Sequence, residues 1–438
     1  MTRHVIIGTG IAGYTAAETL RTMDRGAEIV LVSDDPYGFY SRPGLAYYLT
    51  GEIPEKQLFL FSKKGKLNLD VEHLKGLVTQ IDPSSHTINI NTSGKVAYDR
   101  LLLATGASGV PLDVPGATLQ GLVKMDDLQD TRKILSMVRS TKAAVVVGGG
   151  VVAIELVEGL VARGVKVHYL LRGDWFWSNV LGEIESGMVE RSLAHDEVTL
   201  HHNTEVAEVL GKRGRVTGVR TSTGKVLQCD MVAVGIGVKA RMELAQGAGL
   251  KTERGILVNE CLETSTPDVY AAGDVAQIYD PISGRYSIDN LWYPGRKQGR
   301  IAAINMTGKK EIYRRTVATN VLLLAGVMTT IIGAIGSGRD EGQVYTMRGS
   351  SETWQKLPNT IASESGTDAS HLRLVVGEQR LLGALVMGDQ RLSRPLRDLI
   401  NAQVDISPIR NQLLQPNAQP GQSVMDYWLK TKGGGDRR

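Results

Sequence analysis

Cysteine is almost absent from this chain: there are two in 438 residues, Cys229 and Cys261, far apart and outside any CxxC arrangement. That excludes a sequence-evident disulfide redox centre, and two thiols cannot ligate an iron–sulfur cluster. Each reads as a small buried hydrophobe. Histidine is scarce too, and the one adjacent pair, His201-His202, sits in the strand-like run VTLHHNTEV, where neighbours face opposite sides of a sheet; no metal site is expected. Charge of one sign is missing. The 50 basic and 46 acidic residues are mixed along the chain for a net +4, so no nucleic-acid partner is expected. The opening MTRHVIIG runs straight into an apolar strand and leaves no room for a signal peptide, which predicts a cytoplasmic location. Long apolar runs are limited to VATNVLLLAGVMTTIIGAIGSG, residues 317 to 338, uncharged and about as long as a membrane span. Its Asn320, its three threonines and its glycines argue instead for two buried strands joined at Ala325-Gly326.

Glycine is what the chain has in quantity, 50 residues against 5% aromatics. VIIGTGIAGYTAAETL, residues 5 to 20, reads as a buried strand, a glycine loop and a helix, which is the dinucleotide-binding fingerprint in the context it requires. Gly8 permits the tight turn, Gly10 lets the backbone approach a pyrophosphate, and Gly13 lets the helix pack on the strand. Ile11 and Ala12 open the helix, whose N-terminal N–H groups would face the phosphates. The next strand, EIVLVSDD, ends on Asp34 and Asp35 at the distance where an acid meets a ribose hydroxyl, and Asp35 is favoured.

The pattern returns at VVVGGGVVAIELVEGL, residues 145 to 160, with Gly148, Gly150 and Ala153 at the three positions and Val151-Val152 opening the helix. In its following strand, KVHYLLRGD, Leu171 stands where an acid would hold the ribose of NAD, and Arg172 is next to it. Acid absent and arginine present tilts this second site toward NADPH. Between and around the fingerprints lie RLLLATGA, residues 100 to 107, and TSTPDVYAAGDVAQ, residues 264 to 277. The length allows two or three domains. Residues 1–110 with 236–315 are expected to form one discontinuous domain, 111–235 an inserted nucleotide domain, and 316–432 a third domain of strands closed by a final helix, RPLRDLINAQ; 433–438 reads as a disordered tail.

GTGIAG at 8 to 13, LLLATGA at 101 to 107, VVGGGVVAIE at 146 to 155 and TSTPDVYAAGD at 264 to 274, in that order, resemble the pyridine nucleotide-disulfide oxidoreductase superfamily. The stretch DDPYGFYSRPGLAYYLTGEI resembles its class lacking the redox disulfide, which includes rubredoxin and ferredoxin reductases and the large subunit of nitrite reductase. The resemblance implies an α/β chain with two Rossmann-like domains, the two-domain flavoprotein fold, plus a small α+β C-terminal domain. It also implies FAD in the first cradle and NAD(P)H in the second. Gly8, Gly10, Gly13 and Asp35 would hold the ADP half of FAD, Arg42 and Pro43 would lie by the flavin, and Ala104, Thr105 and Gly106 would form a turn beside it. Gly273 and Asp274 would bind the ribitol, although Asp274 also reads as a helix N-cap. Glu155 would lie near the nicotinamide, with Gly237 in the same nucleotide site. Tyr47 takes the place of a lysine that dioxygenase-system relatives carry near the flavin.

The activity so implied is NAD(P)H oxidoreduction with electrons exchanged with an iron–sulfur protein or sister subunits of a nitrite reductase-like or aldehyde oxidoreductase-like complex. The alternatives are a structural or signalling flavoprotein resembling apoptosis-inducing factor, and an oxygen-reducing oxidase. A docking face is expected near Tyr47 and Trp292-Tyr293, with Arg296, Lys297 and Arg300 as its cations, and the C-terminal domain offers a face for self-association.

Overall fold

The computed structural model describes residues 2–59, 62–63, 66–67, 69–280, 284–335, 348–354, 357, 360–367, 369–415 and 419–433; the expected tail beyond 433 lies outside them. Two five-stranded parallel sheets share one logic. In the first, Val269–Ala271, Arg100–Leu103, Arg3–Ile7, Glu28–Ser33 and Glu72–Lys75 lie side by side in that order. In the second the order is Leu122–Val123, Met231–Val234, Ala143–Val147, Lys166–Leu170 and Thr199–His201. The central strands are runs of Val, Ile, Leu and Ala buried on both faces, the pattern a helix-covered parallel sheet demands. Each runs through a glycine loop into a helix, Ile11–Met23 or Val151–Ala162.

Close approach sets the first unit's packing. A Cβ on Gly13 would stand 2.0 Å from the Gly8 carbonyl oxygen, and one on Gly299, in helix Trp292–Met306, 2.1 Å from that of Ala12. The two helices therefore touch backbone to backbone. The chain passes between the two units through Ala107–Gly109, which pairs antiparallel with Val238–Ala240.

The third unit is an antiparallel sheet in the order Thr319–Leu324, Val327–Gly333, Leu381–Met387, Ser370–Val376 and Ile361–Thr367. The membrane-length run is thus a hairpin. Ala325 (φ 47°) and Gly326 (φ 79°) are both left-handed, as a two-residue turn between twisted strands requires. Only its second strand is buried throughout its later half; on the first, at the sheet edge, Val321 is 59% exposed. Among the described residues no helix is long and apolar enough to cross a membrane. RPLRDLINAQ does form a helix, Ser393–Asn401, but it is not the final one: Pro420–Gly433 follows and packs on it, with Trp428 donating its indole N–H to Asp398. The periodic signal in that last segment had been hidden by its flanking glycines and polar residues.

A buried charge cluster joins the third unit to the second. Glu185 Oε1 lies 3.2 Å from His371 Nε2 and 3.3 Å from Arg373 Nε, and Arg373 donates to the Val180 carbonyl at 2.6 Å. Burial pushes the Glu185 carboxyl up, but the His371 hydrogen bond, the Arg373 charge and the Gly182 N–H outweigh it and hold the carboxyl below its ordinary value. Removing one member leaves Arg373, 1% exposed, without its counter-charge. Glu185→Gln is expected to cost about 3–5 kcal/mol in a denaturant titration. The wild type should owe Glu185 stability that is present above its unfolded value of 4.5 and is lost as pH falls through the lower folded value, a decline the variant lacks.

Candidate functional site

The first glycine loop and the first turn of the helix behind the second line one cavity of about 1470 Å³. Its wall carries Gly8, Gly10, Ile11 and Ala12 from the first loop and Asp34 and Asp35 from the strand after it. Arg42, Pro43 and Tyr47 join them, as do Ala104, Thr105 and Gly106, and Gly273 with Asp274. From the second unit come Val151, Val152 and Glu155. Residues spaced across the sequence as candidates for two nucleotide sites therefore meet in one space.

The other candidates lie elsewhere. Gly13 is a packing glycine, as described above. Gly148 (φ +133°) has a similar task, since a Cβ there would meet the Gly235 carbonyl oxygen at 2.3 Å and the Ala153 methyl at 3.2 Å. Gly150 is the N-cap of helix Val151–Ala162 and Gly10 that of helix Ile11–Met23; neither helix has a side-chain cap, so their first N–H groups are open to a ligand. Gly237 lines a small adjoining cavity with Asp126, Val151, Val152 and Arg348. Arg172 is exposed just past strand Lys166–Leu170 and lines neither cavity. Asp274 is no helix cap: it sits in a turn between strands Val269–Ala271 and Ala276–Asp280, because the chain after it continues extended.

Hydrogen bonds fix the polar groups. Asp35 accepts from the Tyr37 N–H and the Tyr40 hydroxyl, and its Oδ2 lies 3.3 Å from Arg42 Nη2, while Asp34 is exposed on the rim. Arg42 also donates to the Asp126 carbonyl at 2.9 Å. Asp126 itself, 4% exposed, accepts from the Gly109 N–H at 2.8 Å, from Lys124 at 2.6 Å and from Arg348 at 3.0 Å. Arg348 further donates to the Met125 carbonyl at 2.9 Å and lines the main cavity.

Glu155, Glu158 and Asp274 on the same wall are shifted upward. Burial, then the charge of Glu158, raises Glu155 to about 8 against the opposing pull of Arg348. Glu158 is raised to about 7, again chiefly by burial. Tyr47, 43% exposed, is raised by burial and then by Glu155, Glu52 and Glu158. Burial lifts Asp274 as well, while Arg348 and Arg42 draw it down.

Sequence reasoning missed Arg348, Asn290 and Asn320 on this wall. Asn290 lies two residues before Trp292 and is 5% exposed, with no hydrogen-bond partner for its Oδ1 among the described residues. An orphaned buried amide oxygen on a cavity wall suits a ligand N–H. Arg348 had no local signal, because it lies 222 residues from its partner Asp126. Of the expected docking cations, Lys297 donates to the Arg314 carbonyl and Arg300 pairs with Glu311, so both are tied within the chain; Arg296 is exposed and has no ion pair among the described residues.

Two glycine loops, each leading from a parallel strand into a helix whose N-terminus has no side-chain cap, are the features of dinucleotide-binding folds. The model of the pyridine nucleotide-disulphide oxidoreductase family matches residues 2–319. The chain belongs to that family. It is 31% identical over 354 residues to the ferredoxin–NAD(+) reductase component of the biphenyl dioxygenase system of Paraburkholderia xenovorans (strain LB400), covering 80% of this chain and 85% of that one. It is 25% identical over 422 residues to nitrite reductase [NAD(P)H] of Bacillus subtilis (strain 168), covering 95% of this chain and 49% of the relative. The chain thus spans about half the length of the two Bacillus subtilis relatives it matches, the second an assimilatory nitrate reductase electron transfer subunit. The ferredoxin reductase for the CYP199A2 system from Rhodopseudomonas palustris has the same fold, with a TM-score of 0.84 at 23% identity over 97% of this chain and all of that one.

The residues present fit the cofactors. An added Cβ on Gly10 meets nothing within 4 Å, so its backbone is bare toward the cavity. Gly10→Val is therefore expected to fold normally yet lose flavin, read as the flavin absorbance that stays with the purified chain. Full retention by a folded variant would show that the first loop does not carry the pyrophosphate.

Proposed function

We propose that this chain takes hydride from NAD(P)H and passes the electrons on, one at a time, to an iron–sulfur protein or sister subunit. The observation that carries this reading is one cavity that joins the first glycine loop to the helix behind the second with no thiol on its wall: Cys229 is buried elsewhere and Cys261 half-buried elsewhere. When bound, the nicotinamide supplies a hydride and the flavin turns that pair into single electrons. Without a cysteine to accept them, electrons leave to an external centre.

The chain's own residues do the positioning. The open N–H groups ahead of Ile11 and Val151 hold the two pyrophosphates, Asp35 accepts from the FAD ribose, and Asp274 from the ribitol. The raised Glu155 carries a proton at neutral pH and so adds no negative charge beside the arriving hydride. Similarity to a ferredoxin reductase component and to nitrite and nitrate reductase proteins supports the iron–sulfur acceptor. Anaerobic reduction by NAD(P)H followed by mixing with a ferredoxin tests the reading. Oxygen consumption faster than ferredoxin reduction would make the chain an oxidase, and no turnover with either would favour a structural or signalling flavoprotein.

Two residues sharpen it. Arg172 is the remaining candidate for a 2′-phosphate and favours NADPH. Arg172→Ala should lower the NADPH/NADH ratio of kcat/KM roughly tenfold, the scale of one charged hydrogen bond; an unchanged ratio removes Arg172 from cofactor choice. Arg296 is the free cation beside the exposed Tyr293. Arg296→Glu should slow ferredoxin reduction several-fold at low ionic strength and flatten its salt dependence, while flavin reduction by NAD(P)H keeps its rate.

A further inference from the structure

We propose that Arg348 is the cation that compensates the negative charge brought into the cavity when hydride reaches the flavin. This rests on the reading above that FAD occupies the cavity. Hydride leaves the nicotinamide C4 with both bonding electrons, so the nicotinamide becomes cationic and the flavin's charge falls by one; when two electrons later leave singly, one proton leaves with them. The intermediate stage places an extra negative charge beside a wall that already holds the carboxyl of Asp274.

Three arginines are the cations of that wall among the described residues: Arg42, Arg241 and Arg348. Arg42 is paired with Asp35 as Arg348 is with Asp126, and Arg241 donates to the Ser108 hydroxyl. Arg348 lines both this cavity and the small one adjoining it, and its charge draws Glu155 and Asp274 down. Its Asp126 bond leaves other N–H groups of the fork unassigned to any acid.

The residue is also held in place before any charge arrives. It begins a strap, residues 348 to 351, laid across the strand-edge residues of the other units. The Gly349 N–H donates to the Asn290 carbonyl at 3.0 Å, and the Asn290 N–H to the Ser350 carbonyl at 3.1 Å. The Asn320 amide donates to the Gly349 carbonyl at 2.7 Å, and the Ser351 hydroxyl to Asp289. Gly349 packs on Val151 at the start of the second helix. A cation so fixed stabilises developing charge without reorganising. It lies past residue 319, outside the stretch that the family model matches.

The test is the flavin midpoint potential of purified holoprotein by spectroelectrochemical titration. Arg348→Gln should shift the equilibrium with NAD(P)H about tenfold toward oxidised flavin, the scale of one partly screened charge, while Arg348→Lys stays near wild type. Asp126→Asn, which frees the guanidinium from its counter-charge, should shift it the other way. Wild-type potential in a flavin-bearing Arg348→Gln overturns the proposal, and so does an equal fall in Arg348→Lys, since geometry rather than charge would then matter. Should Arg348→Gln hold no flavin, Asp126→Asn decides: an unchanged or lowered potential overturns it. A wild-type chain without flavin would instead defeat the reading of the cavity.

Discussion

Asp126 is a buried carboxylate in a place where burial alone would neutralise it, and it stays charged because three donors converge on it. Burial pushes it up, and the Arg348 charge, the Lys124 hydrogen bond and the Gly109 N–H together hold it below the ordinary carboxylate value. Those donors come from the crossover strand, the segment ahead of helix Leu128–Met137 and the strap. Its main-chain carbonyl holds Arg42, and through Arg42 the acid of the first cradle. A charge in such a setting is tolerable only with all partners in place. The cavity's shape thus depends on one carboxylate that belongs to neither glycine loop.

The rest follows from what the loops cannot do alone. A helix N-terminus attracts a phosphate but does not aim a ring, and hydride transfer needs rings brought within contact. Outside the fingerprints, the Gly299–Ala12 backbone contact seats the long helix that begins at Trp292, and Trp292 reaches Phe39, itself stacked on Tyr14 at 4.5 Å. Burial shifts Glu155 and Glu158 on the wall toward neutrality, which limits the negative charge that the chamber itself carries.

What could be read from the sequence was local. Gly8, Gly13 and Gly148 each answer a constraint set within a few residues or by the adjacent strand, so spacing revealed them; Ala325-Gly326 was legible as a joint because its flanks are β-branched and apolar. Arg348, Asn290 and Gly299 answer constraints set by chain segments far away, and no periodicity records such partners. Lys297 and Arg300 show the converse. Their charges were visible, but the Arg314 carbonyl and Glu311 that occupy them were not. The Asp274 turn and the extra C-terminal helix were missed for a related reason, since whether a segment continues extended or coils there is decided by its neighbours.

The strap has a bearing on recombination between relatives. A graft that exchanged everything up to the end of the family-matched region would transplant both cradles whole and look conservative by alignment. It would nevertheless pair the incoming Asp126, Asn290 and Val151 with a foreign segment at 348 to 351, parting a charged residue from the surfaces that orient it. The crossover point that keeps this site intact lies beyond Ser351, not at the boundary the signatures suggest.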